Sequence, residues 1–365
     1  MTKKNNKPPF KLLTMEEVNE KKGTNGYNIV STFTGAGGSC IGLKLAGFNI
    51  LYAVEFIEEA QKTYALNHSE VYLDKRDIRE IKGEDILRQC NLNKGELDLL
   101  EGSPPCSGFS QMGIGSDGWN CIKKYSDSEQ RVDDLFFEFI RLVKEVQPKM
   151  VLCENVPALA TGKNKGYLKL IINEFKKIGY DIHLKILNSQ FLNVPQVRKR
   201  LIFIGVNKKL DINVEFPKPL NYSYIINDAI PNYKDHIPKE IYNTFKTNSQ
   251  MKFLFNYCQR NHLSNFAVAS KKLWGRNVGF AQKLAFGEKS CPTIIQATPL
   301  YHSHQQRTLS IDEAKILHTF PIDFKLTGSF HKQWERIGRS VPPRMYEAVG
   351  LKIKESLDDY YGKSR

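Results

Sequence analysis

The chain lacks the marks of an exported, membrane-spanning or metal-stapled protein. No apolar run approaches the roughly 20 residues that cross a bilayer. The basic start MTKKNNKPPFKLL has no apolar signal-peptide core, which predicts a cytoplasmic location. Seven cysteines (Cys40, Cys90, Cys106, Cys121, Cys153, Cys258 and Cys291) show no Cys-x-x-Cys and no paired spacing. A disulfide framework and a structural zinc site are therefore not expected, and no metal is required. Most of these thiols read as small buried hydrophobes. Internal repeats and low-complexity blocks are absent too, which argues against a solenoid.

What is present is an ordinary core-forming composition, 41% hydrophobic and 25% charged, over 365 residues. That length predicts one large domain with a smaller companion. The net charge of +14 attracts polyanions. Lysine enrichment also follows from solubility and AT-rich coding, so charge alone does not establish a nucleic-acid partner.

Residues 1–27 read as a flexible basic leader with a short helix near Met15–Lys21. From Asn28 a strand, glycine turn, helix and strand follow one another, the opening of a doubly wound, mostly parallel α/β sheet. Buried strands are predicted at Leu97–Leu100, Met150–Cys153, Ile182–Leu187 and Leu201–Val206, with helices over Val132–Val146 and Leu168–Ile178. This assigns 28–206 to a catalytic and cofactor-binding domain. Residues 207–290 are rich in Asn, Lys, Pro and Tyr with weak periodicity, and read as a smaller irregular domain or insertion. Residues 291–365 read as returning to the catalytic domain, with a capping box at Ser310 and Glu313 and a last helix from Arg344 to Leu357.

The turn Thr34-Gly35-Ala36-Gly37-Gly38 follows a strand and opens a helix, so its backbone can approach a ligand closely. It is neither Gly-x-Gly-x-x-Gly nor a P-loop. Glu55 ends the next strand at the spacing where an acid meets ribose hydroxyls. Asp77 follows the next element and suits the exocyclic amine of adenine. Either carboxylate alone is more often a solvated surface acid; the three features in order suggest an adenosine-containing ligand at the strand ends.

The run Leu99-Leu-Glu-Gly-Ser-Pro-Pro-Cys106 places a thiol just beyond a strand, in a loop stiffened by two prolines. Glu154-Asn155-Val156 ends another strand, Gln196-x-Arg198-x-Arg200 precedes a third, and Gly338-Arg-Ser-Val-Pro-Pro343 lies near the C-terminus. A thiol, a carboxylic acid and two guanidiniums at strand ends are ingredients for attack on an electron-poor heterocycle.

The ordered set Phe33-Thr-Gly-Ala-Gly-Gly38, Pro104-Pro-Cys106, Glu154-Asn-Val156, Gln196-x-Arg-x-Arg200, Arg307-x-Leu-Ser310 with Phe320-Pro321, and Gly338-x-x-Val-Pro-Pro343 resembles the DNA (cytosine-5) methyltransferase family over residues 28–355. The resemblance implies S-adenosyl-L-methionine as cofactor, double-stranded DNA as partner and a monomer. It implies that Cys106 adds to C6 of cytosine, and that Glu154 holds N3 and the exocyclic amine, which calls for a raised pKa; the plainer alternative for Glu154, compatible with the first, is a buried salt bridge to Arg198 or Arg200. Arg198 and Arg200 would anchor the ring, Arg200 at the C2 carbonyl. Phe33, Gly35, Gly37, Gly38, Glu55, Asp77, Ile78, Pro104, Ser340 and Val341 would line the cofactor. The target nucleotide must be flipped out of the duplex. Ser107–Tyr125 resembles the family's mobile loop, with Ser110, Lys123 and Lys124 as DNA contacts, and 207–290 takes the place of its target-recognition domain, with Lys271, Lys272, Arg276 and Asn277 as candidates. A tRNA-modifying branch, which has little sequence at that place, and a catalytically inactive relative are the competing readings.

Arg76 and Ser107 stand where the family pattern has glycine and glutamine. Arg339 replaces an asparagine in the last motif, setting a permanent cation beside a sulfonium. Three resolutions are open: Arg339 faces phosphate, it pairs with Glu154, or it selects a carboxylated donor, carboxy-S-adenosyl-L-methionine, giving 5-carboxymethylcytosine.

Overall fold

The computed structural model describes residues 7–105, 122–125, 128–131, 135–241, 249–279 and 281–363. Along the chain run α1 (Met15–Lys21), β1 (Asn28–Thr32), α2 (Gly38–Leu45), β2 (Asn49–Val54), α3 (Glu58–Asn67), β3 (Tyr72–Asp74), α4 (Gly83–Cys90) and β4 (Leu99–Gly102). There follow β5 (Ile122–Tyr125), β6 (Ser128–Arg131), α5 (Leu135–Val146), β7 (Met150–Asn155), α6 (Lys165–Lys177), β8 (Tyr180–Asn188) and β9 (Lys199–Asn207). The remainder holds α7 (Ile226–Ala229), α8 (Ser249–Arg260), α9 (Phe266–Trp274), β10 (Leu284–Ala285), β11 (Tyr301–His302), α10 (Ile311–Leu317), α11 (Phe330–Arg339) and α12 (Pro343–Lys363).

Seven strands form one sheet in the order β3-β2-β1-β4-β7-β9-β8. The pairs β1–β2, β2–β3, β1–β4 and β4–β7 are parallel, whereas β9 runs antiparallel to β7. The expected doubly wound, mostly parallel α/β class is what the chain adopts. Buried strands of a parallel sheet read as continuous apolar runs, and β4 and most of β9 have that burial. α5 turns Leu135, Phe136, Phe139, Ile140, Val143 and Val146 inward, and ends where Gln147 takes a left-handed φ of 54° just before Pro148. Strand order reverses between β1 and β4, so the crevice beyond their C-terminal ends is where such sheets bind ligands.

The chain divides into two compact units. The sheet unit comprises 16–187, 199–218 and 346–365; the other comprises 1–15, 188–198 and 219–345. This corrects three boundaries. Residues 291–345 belong with 219–290, and only 346–365 return to the sheet. Residues 188–198 join the second unit because Ser189 and Val197 hydrogen-bond within it, Val197 donating to the Cys291 carbonyl. The described part of 1–27 is not a loose leader: Leu13 and Val18 are buried, and Lys7 pairs with Asp228 at 2.6 Å.

The stretch read as irregular is also more helical than its weak periodicity suggested. α8, α9 and β10 enclose a cluster of Leu254, Phe255, Cys258, Phe266, Ala269, Leu284 and Phe286. The expected capping box forms with both bonds: Glu313 N donates to Ser310 Oγ (3.1 Å) and Ser310 N to Glu313 Oε2 (2.7 Å). Arg307 closes on the same buried carboxylate with two bonds of 2.8 Å, which explains the Arg307-x-Leu-Ser310 pattern.

Gly102 ends β4 where it must carry Ser103-Pro104-Pro105. A Cβ there would lie 2.4 Å from Thr32 Oγ1 and 2.6 Å from Phe139 Cε2. Gly102→Ala is expected to cost about 1–3 kcal/mol by overpacking, read as a lower urea midpoint with an unchanged slope.

Candidate active site

At the end of β1 the backbone is bent by left-handed residues: Phe33 (φ 55°), Gly35 (56°) and Gly37 (88°). Left-handed phenylalanine is sterically costly, and such conformations gather at ligand clamps. Gly37 admits no side chain, because its Cβ would meet His68 Nε2 at 2.5 Å. Gly38 starts α2, whose residues are all buried. The carboxylate of Glu55 braces this turn, accepting Gly35 N at 2.6 Å and Ile57 N at 2.7 Å. Thr34 adds a buried hydroxyl with no hydrogen-bond partner among the described residues. A narrow, glycine-rich cradle edged by an acid and a buried hydroxyl suits an adenosine-type ligand.

Asp77 caps the 3₁₀ turn Ile78–Glu80 and pairs with Arg79 at 2.9 Å, so an adenine amine would share it with that guanidinium. Ile78 is buried, fit to face a ring. Arg76, at the family's glycine, pairs with Asp74 at 2.7 Å and leaves the turn intact.

Across the strand reversal, Pro104 is buried and its carbonyl accepts Asn155 Nδ2 at 3.2 Å. Asn155 Oδ1 also receives Val156 N at 2.8 Å, so one buried amide ties the end of β7 to the Pro-Pro loop. Next to it, Glu154 Oε1 lies 2.5 Å from Arg200 Nε, with the two side chains only 11% and 15% exposed. The N–H does not point at that oxygen, so the contact is an ion pair rather than a directed hydrogen bond. Arg200 also donates to the Lys199 carbonyl at 2.8 Å. The pairing of the two residues expected to grip the base is thus formed within the sheet unit.

Arg198 is committed elsewhere. It is 1% exposed and donates to the carbonyls of Ile294 (2.9 Å), Gly338 (3.0 Å) and Ser340 (2.9 Å). The guanidinium thus organises the Gly338–Ser340 segment, a role the sequence reading did not assign to it. His318 serves the same carbonyl, Nε2 donating to Ser340 O at 3.0 Å while Nδ1 accepts from Gln196 at 3.0 Å, which makes it the neutral Nε2–H tautomer. Gly338 packs so tightly that a Cβ would meet Gln296 N at 2.6 Å. Ser340 and Val341 are buried in this second unit.

Arg339 has a partner on its own helix. Its Nε donates to Glu335 at 2.8 Å, one turn back on α11. An anion on its own helix thus accompanies Arg339, and the same carboxylate also pairs with Arg336 at 3.0 Å. Lys271, Lys272, Arg276 and Asn277 are exposed at the end of α9. Cys106 and Ser110 lie outside the described residues, and of Lys123 and Lys124 only the backbone, in the β5–β6 ladder, is described.

One residue escaped the sequence reading. Glu101 on β4 is 1% exposed and accepts Ser31 Oγ at 2.5 Å and Ser39 Oγ at 3.4 Å. Burial pushes its carboxyl up to about 8, the charge of Glu154 adds to the rise, and the two serine hydroxyls oppose it. An acid inside the apolar run Leu97–Gly102 was the available signal. Among the described residues, no group of three or more His, Cys, Asp or Glu could hold a metal, and no helix is long and apolar enough to cross a membrane.

Comparison with known proteins agrees with this geometry. The model of the C-5 cytosine-specific DNA methylase family matches residues 27–355. Type II methyltransferase M.FnuDI of Fusobacterium nucleatum is 30% identical over 91% of this chain and 95% of its own. Type II methyltransferase M1.HphI of Haemophilus parahaemolyticus is 29% identical over 88% and 84%. For the fold, a protein of an Escherichia coli prophage, described as a DNA modification methyltransferase, superposes with TM-score 0.67 at 23% identity, covering 91% of this chain and 99% of that one. With its glycine cradle and its Glu154–Arg200 pair built on that fold, the chain belongs to the C-5 cytosine-specific DNA methylase family.

Proposed function

We propose that this protein transfers a methyl group from S-adenosyl-L-methionine to carbon 5 of a flipped cytosine in double-stranded DNA. The observation that carries the reading is the Glu154–Arg200 pair beside the Asn155–Pro104 tie, at the sheet edge that also bears the glycine cradle. The Type II names of the relatives support a protective role beside a restriction endonuclease. The long stretch 207–290 favours DNA over tRNA. The predominance of basic residues suits a phosphate backbone.

The bound cofactor supplies an electrophilic methyl group. The Gly35–Gly37 backbone, Phe33, Ile78, Glu55 at the ribose and Asp77 at the adenine amine would hold it, with Pro104 as a further lining residue. Cytosine C5 is a poor nucleophile until its ring loses conjugation. In this reading the Cys106 thiolate forms a bond to C6, the C5–C6 π electrons shift toward N3, and Glu154 delivers a proton there. Arg200 meets the C2 carbonyl and balances its charge. After transfer, the C5 proton leaves to a base, the S–C6 bond breaks, and Glu154 recovers its proton. Each atom the ring borrows is thereby returned.

Two outcomes check this reading. Glu55→Ala removes the brace of the cradle and is expected to weaken S-adenosyl-L-methionine binding about ten- to hundredfold by calorimetry, as loss of charged hydrogen bonds worth roughly 1.5–3 kcal/mol implies. Mass spectrometry of nucleosides from DNA treated with either donor is expected to find 5-methylcytosine only, and Arg339→Asn is expected to leave that product unchanged. Appearance of 5-carboxymethylcytosine would restore the carboxylated donor.

A further inference from the structure

Glu101 and Glu154 project from one face of adjacent strands. Glu101 pairs in register with Leu152, and side chains two residues apart share a face, so Glu154 lies one step along the same side. Ser103, just beyond the end of β4, follows two residues after Glu101. Four polar atoms here are buried without a hydrogen bond among the described residues: Glu101 Oε1, Ser103 Oγ, Glu154 Oε1 and the Tyr346 hydroxyl. They concentrate around the two carboxyls. The Ser103 hydroxyl stands beside the Tyr346 phenol, which also feels the charges of both Glu101 and Glu154. The two carboxyls, the Ser103 hydroxyl and the Tyr346 phenol thus form one buried polar group on a single side of the sheet.

We propose that Glu101 and Glu154 share one proton, which Glu101 holds in the free enzyme and Glu154 holds when a cytosine is bound, with the hydroxyls of Ser103 and Tyr346 as the path between them. This rests on the assignment of Glu154 to the base. The need for it is visible in the pair itself: Glu154 sits 2.5 Å from the Arg200 guanidinium, yet in this reading it must present a proton to N3. The transfer balances. As Glu154 gains a proton from Ser103, Ser103 gains one from Tyr346 and Tyr346 one from Glu101, whose new charge falls on the hydroxyls of Ser31 and Ser39. Elimination of Cys106 reverses every step. Glu101 touches no substrate and is a positioning residue.

The titratable groups around Glu101 allow this. From α2 comes Cys40, from α3 Tyr64, from β7 Cys153 and Glu154, and from α12 Tyr346. Burial pushes the Cys40, Cys153, Tyr64 and Tyr346 protons upward, so all four stay neutral while Glu101 titrates. The sign follows. Below about pH 8 Glu101 holds its proton; above it Glu101 is charged and has none to pass toward N3. The kcat/KM of the wild-type enzyme, which reports groups of the free enzyme, is expected to fall on the alkaline side with a midpoint near 8. Ionisation of the Cys106 thiol gives a limb of opposite slope.

The test is the pH profile of kcat and of kcat/KM on duplex DNA for the wild type, Glu101→Gln, Glu101→Asp, Tyr346→Phe and Glu154→Gln, with the alkaline limb read in kcat/KM. Glu101→Gln is expected to lower kcat about a hundredfold at neutral pH, within the span of general acid catalysis, with KM for DNA and cofactor unchanged and the alkaline limb near pH 8 gone. Glu101→Asp restores the limb, and Tyr346→Phe lowers kcat about tenfold while keeping it. Infrared difference spectra of the unliganded enzyme add a readout independent of turnover: a protonated-carboxyl band lost above about pH 8 and missing in Glu101→Gln. Wild-type kcat and an unmoved limb in Glu101→Gln, with Glu154→Gln inactive, would overturn the shared proton alone. An active Glu154→Gln enzyme would instead remove the assignment of Glu154 to the base. If Glu101→Gln does not fold, an unchanged kcat in Tyr346→Phe together with no titrating carboxyl band in the wild type overturns the proposal.

Discussion

A carboxylate held 2.5 Å from a guanidinium, with only about a tenth of its side chain exposed, cannot be an idle surface acid. Removing one partner of such a pair leaves a charge in poor solvent and typically costs about 3–5 kcal/mol, so Glu154 and Arg200 hold each other in place. Much of the site depends on that anchor. Asn155, the next residue, reaches the Pro104 carbonyl and fixes the loop that leads to Cys106. β9 brings Arg200 into reach because it runs antiparallel to β7, with Glu154 paired in register to Ile202.

The sheet determines where this chemistry sits. Its strand order reverses between β1 and β4, and the cradle and the Pro-Pro loop spring from those two strands. Glycine at 37 and 102 is a steric requirement at both, one against His68 and one against Thr32 and Phe139. In the second unit a separate network of Gln196, Arg198 and His318 converges on the backbone of Ile294 and Ser340. There the motif residues act as a scaffold: five N–H donors in a fixed fork match several carbonyls as well as they match a base.

Much of this was legible in the residues. Apolar runs separated by turn signals located β1, β2, β4, β7 and β9, and Ser310-x-x-Glu313 located α10 to the residue. Glu154 and Arg200 followed from motif order. What escaped reading depended on tertiary context. Arg198 and Arg200 have the same chemistry two residues apart, and only burial separates their roles. Glu335 pairs with Arg339 at a spacing of four, a pattern visible once α11 is known to be a helix. The helices α8 and α9 bury one short face each around a small cluster, which leaves little periodicity to detect. Glu101 was in plain view as an acid within an apolar strand, but its partners lie on β1 and α2, far off in sequence.

The most direct test of the central claim follows the hydrogen on carbon 5. Duplex DNA carrying tritium at cytosine C5 is incubated with the enzyme and S-adenosyl-L-methionine, and the water is counted. Attack at C6 followed by transfer to C5 predicts tritium release matching methyl incorporation, and neither with Cys106→Ala. Methyl groups on DNA with the C5 tritium retained would contradict the account, since the transfer would then have gone to another atom of the base.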